Sequence, residues 1–249
     1  MASRKKKIIL GSILALLVLL LAAAVYFFQF SDLGYRMSVP CRQSFEKIAE
    51  NIYVNKEYAD DREALLQLSK DARARVGAFF GDVQGTDVTI VIFCDDEKLQ
   101  AKLGSGKDTT TVTFPVKRNY ISISEEYCDL DILAHELTHA ELHTRLNEKP
   151  LRALPTWFNE GIAVQNDYRE QYGAQAWEEQ TDHGKNVVAL TDMDTPDEFY
   201  AGSAEDRRFR YLNARHEVGE WMETHGQAGL LALIDRLNCG EDFDAVYRS

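Results

Sequence analysis

A chain of 249 residues, 45% of them hydrophobic, has room for one large domain with a substantial core. Its formal charge of −12 is unevenly spread: four of the 28 basic residues and none of the 40 acidic ones fall in residues 1–30. A domain that acidic argues against nucleic acid and anionic lipid as partners.

The chain opens on Arg4, Lys5, Lys6 and Lys7, followed by an uncharged stretch, Ile8–Phe30. As a helix this stretch would run about 34 Å, enough to cross a bilayer's hydrocarbon core. The basic flank predicts a cytoplasmic N-terminus, with everything after Phe30 on the other side of the membrane. Tyr26, Phe27 and Phe28 sit where an interfacial aromatic belt would lie. A cleaved secretory signal is the competing reading, since Ala22-Ala23-Ala24 fits the small-residue cleavage rule. The apolar run continues past those alanines, which favours a retained single-pass anchor. Both readings export the domain.

Residues 31–42 read as a linker and 43–249 as one α+β domain, with a helical lead-in over 43–85 and a core over 86–249. Apolar residues near a 3.6 spacing (Phe45, Ile48, Ile52, then Leu65, Leu66, Leu68, Ala72, Val76, Phe79, Phe80) predict two helices broken near Tyr53–Asp61, with Gly81 ending the second. Thr86–Cys94 is β-branched and aromatic and predicts a buried strand. A short helix is expected over Asp95–Leu103, a turn over Gly104–Asp108, and one or two strands over Thr109–Ser124, around Pro115 and Lys117–Asn119. Helices are then expected over Leu130–Arg145, Pro155–Asn166, Glu205–His225, Gln227–Leu237 and Asp242–Tyr247, with Gln171–Asp192 part helix and part loop. Helices, a small sheet, then helices is an α+β order.

Four cysteines in an exported domain suggest two disulfides with three pairings open: Cys94 with Cys128 beside the motif helix would leave Cys41 with Cys239 to tie the chain ends, and unpaired, buried thiols are the alternative. None has the CxxC spacing of a thiolate zinc site.

The decisive segment is Ala134-His135-Glu136-Leu137-Thr138-His139-Ala140. Residues four apart share a helix face, so His135 and His139 can offer imidazole nitrogens to one metal ion. Glu136 projects beside them, close enough to take a proton from a water held by that ion. Leu130, Leu133, Leu137 and Ala140 form an apolar stripe on the opposite face. An i,i+4 histidine pair satisfied by ordinary hydrogen bonds is the bland alternative. A catalytic zinc needs a third protein ligand and an open position. His143 lies about 12 Å along the axis from His135 and cannot serve. Arg145 and Leu142 stand where a metzincin would have histidine and glycine. Downstream, Pro155-Thr156-Trp157-Phe158-Asn159-Glu160-Gly161-Ile162-Ala163 places a glutamate on the next predicted helix.

HExxH followed about twenty residues later by WxNEGxA resembles the gluzincins of the MA clan, most nearly the small peptidase MA-like domains. The resemblance covers about residues 87–248. Its C-terminal part is looser: Tyr211, Trp221-Met222, His225-Gly226 and Gly240–Phe243. It implies a zincin-like fold and one Zn2+ per chain, held by His135, His139 and Glu160. It also implies hydrolysis of peptide bonds, with Glu136 as general base and a side chain that binds the oxyanion of the tetrahedral intermediate. Tyr211 is the candidate for that last role, His216 the runner-up and Tyr200 a third; each is otherwise an ordinary helix residue. Trp157 reads as a core anchor aiming Glu160.

The strand around Tyr120–Ser124 would align an extended peptide by main-chain pairing. The glycine-x-Met-Glu-Asn segment by which aminopeptidases of this clan grip a free N-terminus is absent upstream of His135, which favours an endopeptidase. The partners expected are thus a peptide or protein substrate and, through the N-terminal helix, a membrane, with no nucleic acid. A tethered zinc- or peptide-binding module without catalysis, or a scaffold whose histidines are incidental, are the rival readings. An intact Glu136 between the ligands speaks against the silent module, and zinc stoichiometry separates the scaffold from the other two.

Overall fold

The computed structural model describes residues 2–58, 61–104, 110–114 and 118–249. Helix α1 (Ala2–Phe30) contains the apolar stretch Ile8–Phe30, long and apolar enough to cross a membrane, with none of its residues buried. Length and composition alone do not separate a span from a signal sequence. One residue later comes α2 (Asp32–Ser38). The segment expected as a linker is therefore folded: Tyr35, Arg36 and Val39 are almost fully buried.

The helical lead-in expected from residue 43 begins instead as a β-hairpin, β1 (Phe45–Ala49) and β2 (Ile52–Asn55), paired antiparallel. Phe45, Ile48 and Ile52 satisfy helical spacing, yet Ile52-Tyr53-Val54 is a β-branched and aromatic run buried on both faces, and Asn51 takes the left-handed conformation (φ 59°) that the tight turn needs. The second expected helix forms as α3 (Arg62–Phe80), capped by Asp61 and ended at Gly81. Then follow β3 (Ile90–Phe93), α4 (Glu97–Leu103), β4 (Thr110–Phe114) and β5 (Arg118–Ile123). The turn expected over Gly104–Asp108 lies outside the described residues beyond Gly104, as do Pro115 and Lys117.

The sheet has strand order β1-β2-β3-β5-β4, with β2, β3 and β5 parallel and the outer strands antiparallel to their neighbours. Alternate residues face opposite layers. Ile52, Val54, Val91, Phe93, Ile121 and Ile123 join α3 and the motif helix in the main core. Tyr53, Ile90, Ile92 and Tyr120 pack against Tyr35 from α2, Val39 immediately after it and Leu103 from α4. Both faces are covered, so the central strands read as unbroken apolar runs. β5 lies between β3 and β4, so among the described strands the sheet edge near the motif helix is β4 and not the Tyr120–Ser124 strand.

The rest is helical: α5 (Leu130–Arg145), α6 (Glu148–Ala153), α7 (Thr156–Val164), α8 (Ala174–Gln180), α9 (Pro196–Phe199), α10 (Ala204–Asn238) and α11 (Phe243–Tyr247). The two helices expected around residues 205–237 form α10, kinked at Gly226 (φ 63°, ψ −172°). The whole is α+β, as expected.

No disulfide forms among the four cysteines. Cys94, at the end of β3, is buried on the α2/α4 side of the sheet, whereas Cys128 packs against the opposite core. Burial also pushes the Cys94 thiol up to about 12. Cys41 and Cys239 are exposed thiols.

A fully buried carboxylate, Glu141, ties α5 to the loop before β3. It accepts the main-chain N–H groups of Gln84, Gly85 and Thr86 at 2.8, 2.7 and 2.9 Å, and Nε of Arg145 at 2.8 Å. Glu141→Ala would strand all four donors and should cost about 3 kcal/mol in a denaturant titration of the full chain. A loss below about 1 kcal/mol would show that other contacts hold this loop to α5.

Candidate metal centre

Helix α5 starts where the Asp129 carboxylate accepts the N–H of Ile132 at 2.7 Å. Leu133, Leu137 and Ala140 are wholly buried on the sheet side. This fixes the rotation of the helix and turns His135, Glu136 and His139 to the other face. Helix α7 crosses nearby. Trp157 and Phe158 anchor it: Trp157 donates Nε1–H to Asp194 Oδ1 at 3.0 Å, and both rings pack on Phe243 and Tyr247. Gly161 lets α7 lie directly against α10, for a Cβ there would stand 2.5 Å from Val218 Cγ2 and 2.6 Å from the Ala214 carbonyl. Trp157 therefore serves as the core anchor expected of it, and α7 is pressed into the one depth at which Glu160 reaches the histidines.

His135, His139 and Glu160 converge. Nε2 of His135 and Nε2 of His139 are 3.2 Å apart, and Glu160 Oε2 is 3.5 and 3.3 Å from them. Three ligands about 2.0–2.1 Å from one ion at tetrahedral angles stand about 3.3–3.4 Å from each other. The triangle is therefore the right size for a tetrahedral ion. Glu160 is buried, and its Oε2 has no hydrogen-bond partner, an arrangement that a cation would satisfy. Its other oxygen accepts the Tyr200 hydroxyl at 2.6 Å. The chemistry of the set, two imidazoles and a carboxylate, suits a divalent transition metal.

The electrostatics agree. Burial raises the Glu160 carboxyl, but His139 and His135 overcome it and hold the group well below its usual range. Burial lowers His139, yet the Glu160 carboxylate lifts it to about 9. The pocket is thus made for positive charge beside Glu160.

Asn159, which the sequence reading left without a role, orders the outer side of the site. Its Oδ1 faces His139 Nδ1 at 3.2 Å and His143 Nε2 at 3.0 Å. An N–H donated from His139 Nδ1 leaves the Nε2 lone pair aimed at the cluster. Burial, and then the charge on His139, press His143 down to about 4, so it stays neutral as a donor and is no ligand. On the far side His135 Nδ1 faces the buried carboxylate of Asp167 at 4.0 Å, which Arg169 clamps. Asp167 had no sequence signal. Asn159 had one, its place immediately before the ligand.

Of the three oxyanion candidates, the structure brings two to the cluster. The Tyr211 ring lies 6.1 Å from that of His135, and its hydroxyl interacts with that of Tyr200. Burial first, then the Glu160 carboxylate, push both phenols up, so each remains a donor at neutral pH. The His216 ring instead stacks on that of Trp177, with centroids 3.5 Å apart. A cavity of about 660 Å³ opens beside the cluster, bordered by His143, Asn159, Tyr200, Asp194 and Phe243.

The sequence matches no protein-family model, and no curated protein matches it.

The full chain should take up one equivalent of zinc at neutral pH, and Glu160→Ala or His139→Ala should abolish stoichiometric uptake. Asn159→Ala should weaken affinity by about 10- to 100-fold in chelator competition. Undiminished affinity in Glu160→Ala would put the ion elsewhere.

Proposed function

We propose that this chain is a zinc-dependent peptidase of the gluzincin type, anchored by α1 with its N-terminus cytoplasmic and its domain outside. The observation that carries the reading is the buried triangle of His135, His139 and Glu160 with Glu136 on the next position of the same helix. When bound there, zinc supplies Lewis acidity, lowering the pKa of a water and polarising a carbonyl.

The chain's own groups do the rest. Glu136 is half-buried, and its charge is felt at His139, Tyr200 and Tyr211, as befits a base facing the same space. It takes the proton of the attacking water and delivers it to the leaving amine. Tyr200 commits its hydroxyl to one oxygen of Glu160 and so presents the other alone to the ion. Tyr211 is left as the hydroxyl that stabilises the oxyanion. An extended peptide pairs with the main chain of β4, the outer strand next to α5, and not with β5 as the sequence suggested. Main-chain pairing along an edge needs no free terminus, which agrees with an endopeptidase.

Glu136→Gln should lower kcat about 10²- to 10⁴-fold on a peptide library while zinc content stays unchanged. Tyr211→Phe should cost about 10²- to 10³-fold. Tyr200→Phe should chiefly weaken zinc binding. Full uptake of zinc with no hydrolysis by the native chain would instead support a silent binding module.

A further inference from the structure

The end of the apolar helix is built into the domain rather than tethered to it. Only Ser31 separates α1 from α2, and it bonds both ways. Its N–H and its hydroxyl both donate to the Phe27 carbonyl, at 3.1 and 2.8 Å, and its Oγ accepts the Gly34 N–H at 3.0 Å. At Gly34 the two helices touch so closely that a Cβ would collide with the Phe27 carbonyl. Arg42 closes the clamp from the far side. It donates to the Phe28 carbonyl, reaches Gln29 Oε1 at 3.4 Å and Ser38 Oγ at 2.7 Å, and its guanidinium lies 3.5 Å over the Tyr35 ring.

The same short helix is core. Tyr35 and Val39 pack beneath the sheet with Tyr53, Ile90, Ile92 and Tyr120. Arg36 is 1% exposed and donates to the Leu103 carbonyl at the end of α4, while Asp32 abuts Gly104. Arg36 lies only six residues beyond the end of the apolar stretch; burial presses its guanidinium down to about 10, against the charges of Asp32 and then Glu136. Helix α2 thus follows the apolar helix after a single residue and packs directly beneath the sheet.

We propose that this clamped junction holds the metal cluster at a fixed, short height above the bilayer, and that the substrates are membrane-anchored polypeptides cut close to where they leave the same membrane. The substrate class rests on the anchored-peptidase reading; the fixed height rests on the junction alone. A flexible tether would act oppositely: about 15 Gly/Ser residues give a root-mean-square reach of about 20 Å and let the domain sample many heights.

The test uses the full chain in phosphatidylcholine vesicles, compared with a variant carrying about 15 Gly/Ser residues between Phe30 and Ser31. With Co2+ loaded at the cluster, the native chain should enhance the 31P relaxation of lipid headgroups strongly. The insertion should remove most of that enhancement, and a His135→Ala/His139→Ala control should show none. Equal relaxation by the native and extended chains would overturn the fixed height, with or without catalysis. Lipid-anchored peptides with graded spacers provide the second readout. The native chain should cut the short-spacer substrates at least tenfold faster than the longest, whereas the extended chain should lose this preference and keep its turnover of a soluble peptide. A native profile that is flat across spacers would overturn the proposed substrate class. No cleavage of any peptide, soluble or anchored, would sink the peptidase reading and this substrate class, while the relaxation would still decide the height.

Discussion

The structure depends on the burial of one carboxylate. Taking the Glu160 charge out of water costs several kcal/mol unless opposite charge and hydrogen bonds replace the lost hydration. Here the replacements are specific: the Tyr200 hydroxyl on one oxygen, and two imidazole nitrogens about 3.3–3.5 Å from the other. Without a cation, Oε2 has no hydrogen bond, and two ring nitrogens face each other at 3.2 Å. A proton can relieve part of this conflict, as the raised His139 indicates. An ion coordinated by all three atoms relieves all of it. The close crossing at Gly161, the anchors at Trp157 and Phe158 and the buried stripe of α5 all hold this unfavourable arrangement in place.

Such a site was legible in the sequence because its geometry is local. The i,i+4 pair needs only that Leu130–Arg145 be helical, and the apolar stripe made that helix readable with the limits observed. Glu160 is different. Nothing in spacing alone dictates that α7 should pass α5 at ligand distance, and its assignment came through resemblance to a family pattern. Asp167 shows what is lost without such a pattern: it follows the ligand by a full turn and a loop, and only the fold turns it toward His135. His216 shows the converse, a suitable residue type on the right helix whose ring is taken by Trp177.

The N-terminal misreading has a related cause. Over residues 43–55 the apolar positions fit a helical period, and a run this short carries little periodic information. What decides for strand is β3, some forty residues later, whose main chain pairs with Ile52–Val54. Likewise the residues after Phe30 look like a polar connector until the sheet face that buries Tyr35 and Val39 is known. The cysteines follow the same rule: Cys94 and Cys128 are close in the chain's order of elements but belong to opposite sides of one sheet.

Charge ties the anchor to the acidic domain. The four basic residues before Ile8 favour an anionic cytoplasmic leaflet, worth about 1 kcal/mol each near the surface. The residues beyond Phe30 carry a large excess of acid, and would be repelled by that same leaflet within a Debye length of about 8 Å. Opposite faces of the membrane therefore suit the two ends, which agrees with the proposed orientation. In that proposed orientation the acidic domain gains no attraction from lipid on its own side, so what holds it near the bilayer comes from within the protein. Ser31, Gly34 and Arg42 bond the last turn of α1 to helix α2, and α2 is in turn buried under the sheet. With α1 in a bilayer, as proposed, the height of the site is set by packing rather than by surface charge and should be insensitive to salt.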